Sequence, residues 1–385
     1  MVIPSVWAWD FCVPNQDGVM LYYNFIEDDD EACEVTCCKN AEYEIPTIRI
    51  PEKVILNRGN VDFGDPDTIL HVIGIGDNAF NAARSYTKNI ERIELPYGTS
   101  YIGRKAFSGC EALEAVVWPK NNEWFYSIGD YAFFRCGALG SFQIPKSTEE
   151  IGHMAFAYSG LLSLDFEKGN EFITVIPDSC FLHSGLYQIK IPPFIKEIGV
   201  SAFAECPIKS LELPYGLERI DDYAFFDMTF IMERIEIPAT VKHLGEYVFC
   251  SRGQRKVMKH VRNLYVNAST PPYCISKKTF GDDYYDKEEK KYTNSIIDVT
   301  LTVPIDISKE YGISSFEAYR TTFPWNRFPE NVIQARDLSG IKPATAKTSQ
   351  PEDVFSLDGR RLAKTQKGLN IIRYKDGTAK KVVVK

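Results

Sequence analysis

Histidine is scarce, five residues in 385, and the neighbours that would put it to chemical use are missing. No Gly-x-Ser-x-Gly nucleophile elbow occurs, and no His-Glu-x-x-His pair that could hold zinc on a helix. The sequence thus carries no catalytic, metal-binding or cofactor-binding signature. Long apolar runs are absent as well, and no stretch approaches the roughly 18 residues a membrane helix needs. Nor is there an excess of positive charge. Against 52 Asp and Glu stand 44 Lys and Arg, a net charge of −8, so no broadly basic face is available to displace counterions from nucleic acid. Ten cysteines are too few for a disulfide scaffold at this length. What is present, 44% apolar and 25% charged residues, is an ordinary globular composition that rules out disorder.

The first sixteen residues contain Trp7, Trp9 and Asp10, with no basic start and no clean apolar centre. They do not read as a signal peptide. Two expectations stay open: a cytosolic protein, or an exported one whose leader has been removed.

The informative feature is an internal repeat. Ile-Gly-x-x-Ala-Phe occurs as Ile75-Gly76 with Ala79-Phe80, and again at Ile102-Gly103, Ile128-Gly129, Ile151-Gly152 and Ile198-Gly199. Variants lie at Ile176-Pro177, Ile220-Asp221 and Leu244-Gly245, and successive copies are 27, 26, 23, 25, 22, 22 and 24 residues apart. Gly74-Ile75-Gly76 is therefore the repeat glycine and not a phosphate loop, since the third glycine and the Lys-Ser/Thr are missing. Each copy is followed by apolar-x-x-apolar-x-apolar, usually then proline, as in Leu139-x-x-Phe142-x-Ile144-Pro145 and Met232-x-x-Ile235-x-Ile237-Pro238. The last three positions alternate, which predicts a short strand with one face inward, and the proline stops it because it has no N–H for a ladder. Neither half can bury its apolar side alone. Stacking the units gives a parallel sheet on one side and a phenylalanine column on the other, a solenoid.

This pattern resembles the BspA-like leucine-rich repeat proteins of Bacteroides-type bacteria, from about Val72 to Val266. The resemblance implies an α/β leucine-rich repeat solenoid with a curved parallel sheet on the concave side and short helices or turns on the convex side. It also implies a secreted or cell-surface binding protein and not an enzyme, some members being adhesins for host matrix proteins. It specifies no ligand. A protein or a glycan is the expected partner, with no nucleic acid, no membrane span, no metal and no cofactor. The rival readings are an intracellular scaffold on the same solenoid and, less favoured, an enzyme with its site in the non-repeat ends.

Residues 1–68 are expected to be a β cap, with the acidic run 27–31 at a hairpin tip, a better fit than a calcium loop because the EF-hand spacing is absent. Residues 69–270 are expected to hold the repeats, 271–340 an irregular final repeat and cap, and 341–385 a linker and small β tail. The tail is similar to the short sorting-type domains of secreted Bacteroidetes proteins. Cys110, Cys136 and Cys206 each follow a repeat Phe by three residues, and Cys180 replaces the repeat Ala, which predicts buried free thiols acting as small hydrophobes. Cys12, Cys33, Cys37 and Cys38 leave a disulfide open, with metal binding the weaker alternative because the spacing is not Cys-x-x-Cys.

The candidate binding face comprises the outward strand positions. Its members are Arg92, Glu94, Ser141, Gln143, Asp165, Gln188, Lys190, Glu212, Arg234, Glu236, Asn263 and Tyr265. The centre of the first column, Ser141, Ser163 and Ser210, is small and polar. The second leans acidic through Glu94, Asp165, Glu212 and Glu236.

Overall fold

The computed structural model describes residues 9–38, 41–57, 67–83, 87, 89–120, 122–252, 258–282, 284–286, 291–293, 296, 299–304, 315–328, 333–336, 351–356, 361–362, 368–374 and 379–384. The chain divides into two compact units, Met1–Arg336 and Asp337–Lys385.

In the first unit a repeat contributes two strands and a run of turns, except that residues 208–213 make only a single bridge, at Ser210, in place of the first strand. The apolar-x-x-apolar-x-apolar segments form the first parallel ladder, for example Arg92–Glu94 on Ala115–Val117 and Ser141–Ile144 on Ser163–Phe166. The residue before the repeat Ile and the Ile itself form a second, two-residue ladder: Tyr101–Ile102, Ser127–Ile128 and Glu150–Ile151 pair in parallel, and so do Val175–Ile176, Glu197–Ile198, Arg219–Ile220 and His243–Leu244. The repeat sequence predicts only the first ladder, because two residues are too short to show alternation.

Where helix or turn was expected after the glycine, the structure has turns. Among the described residues the α-helix is confined to Ser315–Thr321, so the content is mostly β. The residue before each repeat Ala or its replacement (Asn78, Lys105, Tyr131, Met154, Ser179, Ser201, Tyr223, Tyr247) has φ between 52° and 61°. This left-handed geometry costs an ordinary side chain ~1–2 kcal/mol. It is offset by bonds to the next repeat: the amides of Lys105, Phe107 and Gly109 donate to the carbonyls of Asp130, Ala132 and Phe134 at 2.7–2.8 Å.

The repeat glycine is explained by close approach. A Cβ at Gly152 would lie 2.3 Å from the backbone nitrogen of Asp130, and one at Gly129 2.6 Å from that of Arg104. Every second repeat also carries an aspartate just after this position. Asp77, Asp130, Asp178 and Asp222 accept the amides of Arg104, His153, Val200 and Glu246, each at 2.7 Å.

The core is a column of rings. Phe80, Phe107, Phe133, Phe156, Phe181, Phe203, Phe225 and Phe249 are buried and stack in order, with centroids 5.2–5.6 Å apart and planes within 13°. Cys110, Cys136 and Cys206 are buried beside it as free thiols, and each sulfur faces a backbone carbonyl of the preceding repeat (Phe80, Phe107, Phe181) at 2.9–3.2 Å.

The start of the chain is an antiparallel hairpin, Met20–Ile26 with Asp29–Thr36, whose tip falls inside the acidic run. Asp29–Thr36 then pairs in parallel with Asp67–Ile75 and joins the cap to the second ladder. The cap also supplies the first rung of both main features. Thr47–Arg49 pairs with Arg92–Glu94, and the Tyr43 ring sits 5.4 Å from Phe80. At the far end Thr300–Pro304 pairs with Asn263–Val266, and buried Trp325 packs edge-on against Phe280.

In the second unit the strands Arg361–Leu362, Pro351–Ser356, Gly368–Tyr374 and Ala379–Val384 form an antiparallel sheet in that order. The linker expected over residues 340–351 lies outside the described residues as far as Gln350, and so does the Asp-Gly turn expected within the tail at Asp358 and Gly359.

Candidate functional site

The parallel register places the candidate residues side by side on one surface. Strand alternation puts Ile93, Phe142, Leu164, Ile235 and Leu264 inward, where they are buried, and the residues between them outward. Ser141 lies opposite Ser163, which lies opposite Gln188, and a single bridge extends this row to Ser210. Gln143 lies opposite Asp165, and Glu236 opposite Tyr265. All twelve candidates are exposed or half-buried.

Two further strands extend the rows, one from the cap, where no repeat was expected, and one from the segment expected to be an irregular final repeat. Thr47 and Arg49 are opposite Arg92 and Glu94, and Thr300 and Thr302 are opposite Asn263 and Tyr265. A signal for the first was present, since Ile45-x-x-Ile48-x-Ile50-Pro51 is another copy of the strand pattern.

Much of the acidity of the second column is satisfied within the face. Glu94 bonds Arg49 and Arg92, both at 3.2 Å, and Arg49 also bonds Asp17 at 2.9 Å. Arg234 bonds Glu236 at 2.9 Å and lies 4.1 Å over the Tyr265 ring. Asp165 and Glu212 are the acidic candidates outside these pairs.

The strand ladder is interrupted twice. One break separates Ala115–Val117 from Ser141–Ile144, and the other separates Ser210 from Ile235–Ile237. At the second lies a cleft of about 810 Å³ between residues 209–213 on one wall and 230–234 on the other. Three of the candidates, Glu212, Arg234 and Glu236, line it, with Tyr215 at its edge.

The histidines are not assembled into a site. His153 lies edge-on to Tyr131 and His183 stacks on Tyr158 while bonding Glu205, both on the turn side of the repeats. No cluster of three or more metal-ligating side chains is present among the described residues. In the cap, Cys12, Cys33 and Cys37 are free thiols.

The stacked Phe column, the repeat glycine and the two parallel ladders define a repeat that has been seen before. The family model for BspA type leucine rich repeat regions matches residues 73–207 and 174–268, with six copies. The chain belongs to this family. Among solved structures, a leucine-rich repeat protein from Bacteroides ovatus is 21% identical with a TM-score of 0.50, the match covering 77% of this chain and 71% of that one. A leucine rich cell surface protein from Faecalibacterium prausnitzii is 19% identical over 67% of this chain and 71% of its own, with a TM-score of 0.46. The pneumococcal vaccine antigen PcpA is 17% identical over 77% of this chain and 94% of its own, with a TM-score of 0.37. No curated protein sequence matches the chain. The BspA-type repeat is a module of protein binding, and this family and fold are those of leucine-rich repeat proteins without catalytic machinery. Among the described residues no helix is long and apolar enough to cross a membrane.

Proposed function

We propose that this protein is a secreted or cell-surface binding protein, not an enzyme, that holds a macromolecular partner on the strand-side face. One observation carries the reading: in three successive runs, 47–117, 141–210 and 234–302, the parallel register lines up the outward side chains. At ~4.8 Å per rung these positions form a strip on the order of 40 Å long. A strip of that length suits a protein interface of ~800 Å² per partner. It does not enclose and desolvate a small substrate as a catalytic pocket does. The small side chains of Ser141, Ser163 and Ser210 leave the sheet backbone within reach of a partner.

Export and adhesion rest on the family resemblance and on the small β tail. A glycan is the second reading, and the exposed rings of Tyr97, Trp124, Phe172 and Tyr215 favour it, since aromatic faces stack on sugars. The test is to immobilise the full chain and measure binding to a panel of extracellular-matrix proteins and glycans. The double variant Ser141→Arg/Ser163→Arg, which crowds the centre of the face without touching the core, is measured beside it. At least a tenfold loss of affinity supports the face. Unchanged binding by the variant moves the site off the centre of the face, to its ends, the caps or the turn side.

A further inference from the structure

The second break in the ladder coincides with a lengthened connection. From a repeat Phe to the first apolar position of the next strand there are five residues at Phe203 to Ile208 but seven at Phe225 to Met232. The extra residues include Phe230 and Ile231, both exposed, Ile231 at 49%. The Phe203 and Phe225 rings still stack at 5.4 Å, and Arg219–Ile220 still pairs with Glu197–Ile198. The repeats therefore stay in contact through the core and the second ladder, and part only on the strand side.

The consequence is a pair of sheet edges facing one another inside the solenoid. The Lys209 amide donates to the Tyr187 carbonyl at 3.0 Å, but the bond that would continue the series, from the Glu233 amide to the Lys209 carbonyl, is not made. Residues 232–237 pair onward with 261–266 instead. At the first break Trp118 packs 4.6 Å from Phe125 and 5.8 Å from Phe142, and the cleft left there is smaller, about 370 Å³. At the second, the equivalent position is Leu213 and the cleft stands open. An unpaired strand edge is a template for another strand, and an extended peptide bound there gains main-chain hydrogen bonds while alternate side chains find pockets.

Charge selects the peptide. Arg234 is paired with Glu236, and the Lys209 ammonium lies 5.8 Å over the Tyr187 ring. Glu212 and Glu233 remain, one carboxylate on each wall of the cleft. We propose that this cleft takes an extended peptide segment of a partner protein in which apolar residues alternate with lysine or arginine. The peptide adds as a strand to the edge at residues 209–213, with apolar side chains against Leu213 and Ile231 and basic ones toward Glu212 and Glu233. The proposal rests on the reading of the strand side as the binding face, and narrows it to one place on that face.

The test uses the full chain and a fluorescein-labelled hexapeptide of alternating lysine and valine, read by anisotropy. Saturable binding is expected, with at least a tenfold loss when alternate peptide amides are N-methylated. The variant Glu212→Lys/Glu233→Lys, both positions exposed, is expected to lose the same peptide tenfold and to gain one of alternating glutamate and valine. Amide exchange at residues 211–213 is expected to slow on binding. No binding of the lysine peptide, equal binding of the methylated one, or indifference to the charge reversal each overturns the proposal. A partner found in the face screen that is retained by Glu212→Lys/Glu233→Lys but lost by Ser141→Arg/Ser163→Arg overturns the cleft and leaves the face standing.

Discussion

Removing one ring from the middle of the phenylalanine column tests the account of what holds the solenoid together. Phe156 is fully buried, with Phe133 at 5.2 Å on one side and Phe181 at 5.6 Å on the other, both nearly parallel to it. Phe142 lies against it from the strand side at 5.0 Å. In Phe156→Ala the transfer of a buried phenyl group back to water accounts for ~2–3 kcal/mol. Neighbouring repeats are fixed by ladders on both sides, so the site collapses little. At ~24 cal/mol per Å³, a residual cavity of roughly 100 Å³ adds about 2 kcal/mol. The expected loss is thus ~4 kcal/mol, within the usual range for Phe to Ala in a core. The assay is urea unfolding followed by tryptophan fluorescence, with hydrogen exchange read repeat by repeat, because in a solenoid each unit is coupled mainly to its neighbours. Exchange should quicken most in the repeats containing Phe133, Phe156 and Phe181. A loss under ~1 kcal/mol, or exchange that changes equally everywhere, would refute the column as the main source of repeat cohesion.

Gly152→Ala should destabilise strongly, because its new Cβ would meet the backbone nitrogen of Asp130 at 2.3 Å and neither strand can shift without breaking the second ladder; thermal unfolding reads this directly. Asp178→Ala removes the acceptor of the Val200 amide and should cost ~1 kcal/mol, while Val200→Ala, which keeps that bond, should cost less. Burial pushes the Cys110 and Cys206 thiols up to about 12 from an ordinary 9.0. Their folded state then holds protons that the unfolded state releases, so their contribution is intact below pH 9 and falls as pH rises toward about 12. Denaturation midpoints across that window should fall, and the fall should be smaller in Cys110→Ala/Cys206→Ala. Thiol titration of native protein should leave Cys110, Cys136, Cys180 and Cys206 unreacted until denaturant is added.

The sequence by itself determined the repeat and what it buries. Ile-Gly-x-x-Ala-Phe needs a glycine where one backbone passes over another, and a small and a large apolar side chain where a column must close. Period-2 alternation then identifies the outward residues of the strand face without any structure. Its limits have the same physical origin. Two-residue strands carry no periodicity, so the second ladder was not legible. Lys105, Tyr131, Met154 and Ser201 have no intrinsic preference for positive φ, and are held there only by bonds to the next repeat. The copy at Ile45 to Pro51 was legible but lay outside the stretch where the Ile-Gly motif recurs. Ion pairing within the face depends on which rungs are adjacent, so the column that reads as acidic in sequence is largely neutralised at Glu94 and Glu236. The cleft is the clearest case of a feature decided by tertiary structure. Two extra residues before Met232 are visible in the spacing, but the longer connections before Ile90 and Val261 leave their strands paired, so spacing alone does not mark the cleft. The ring stack and the second ladder hold the two repeats together, and the gap opens on the strand side alone.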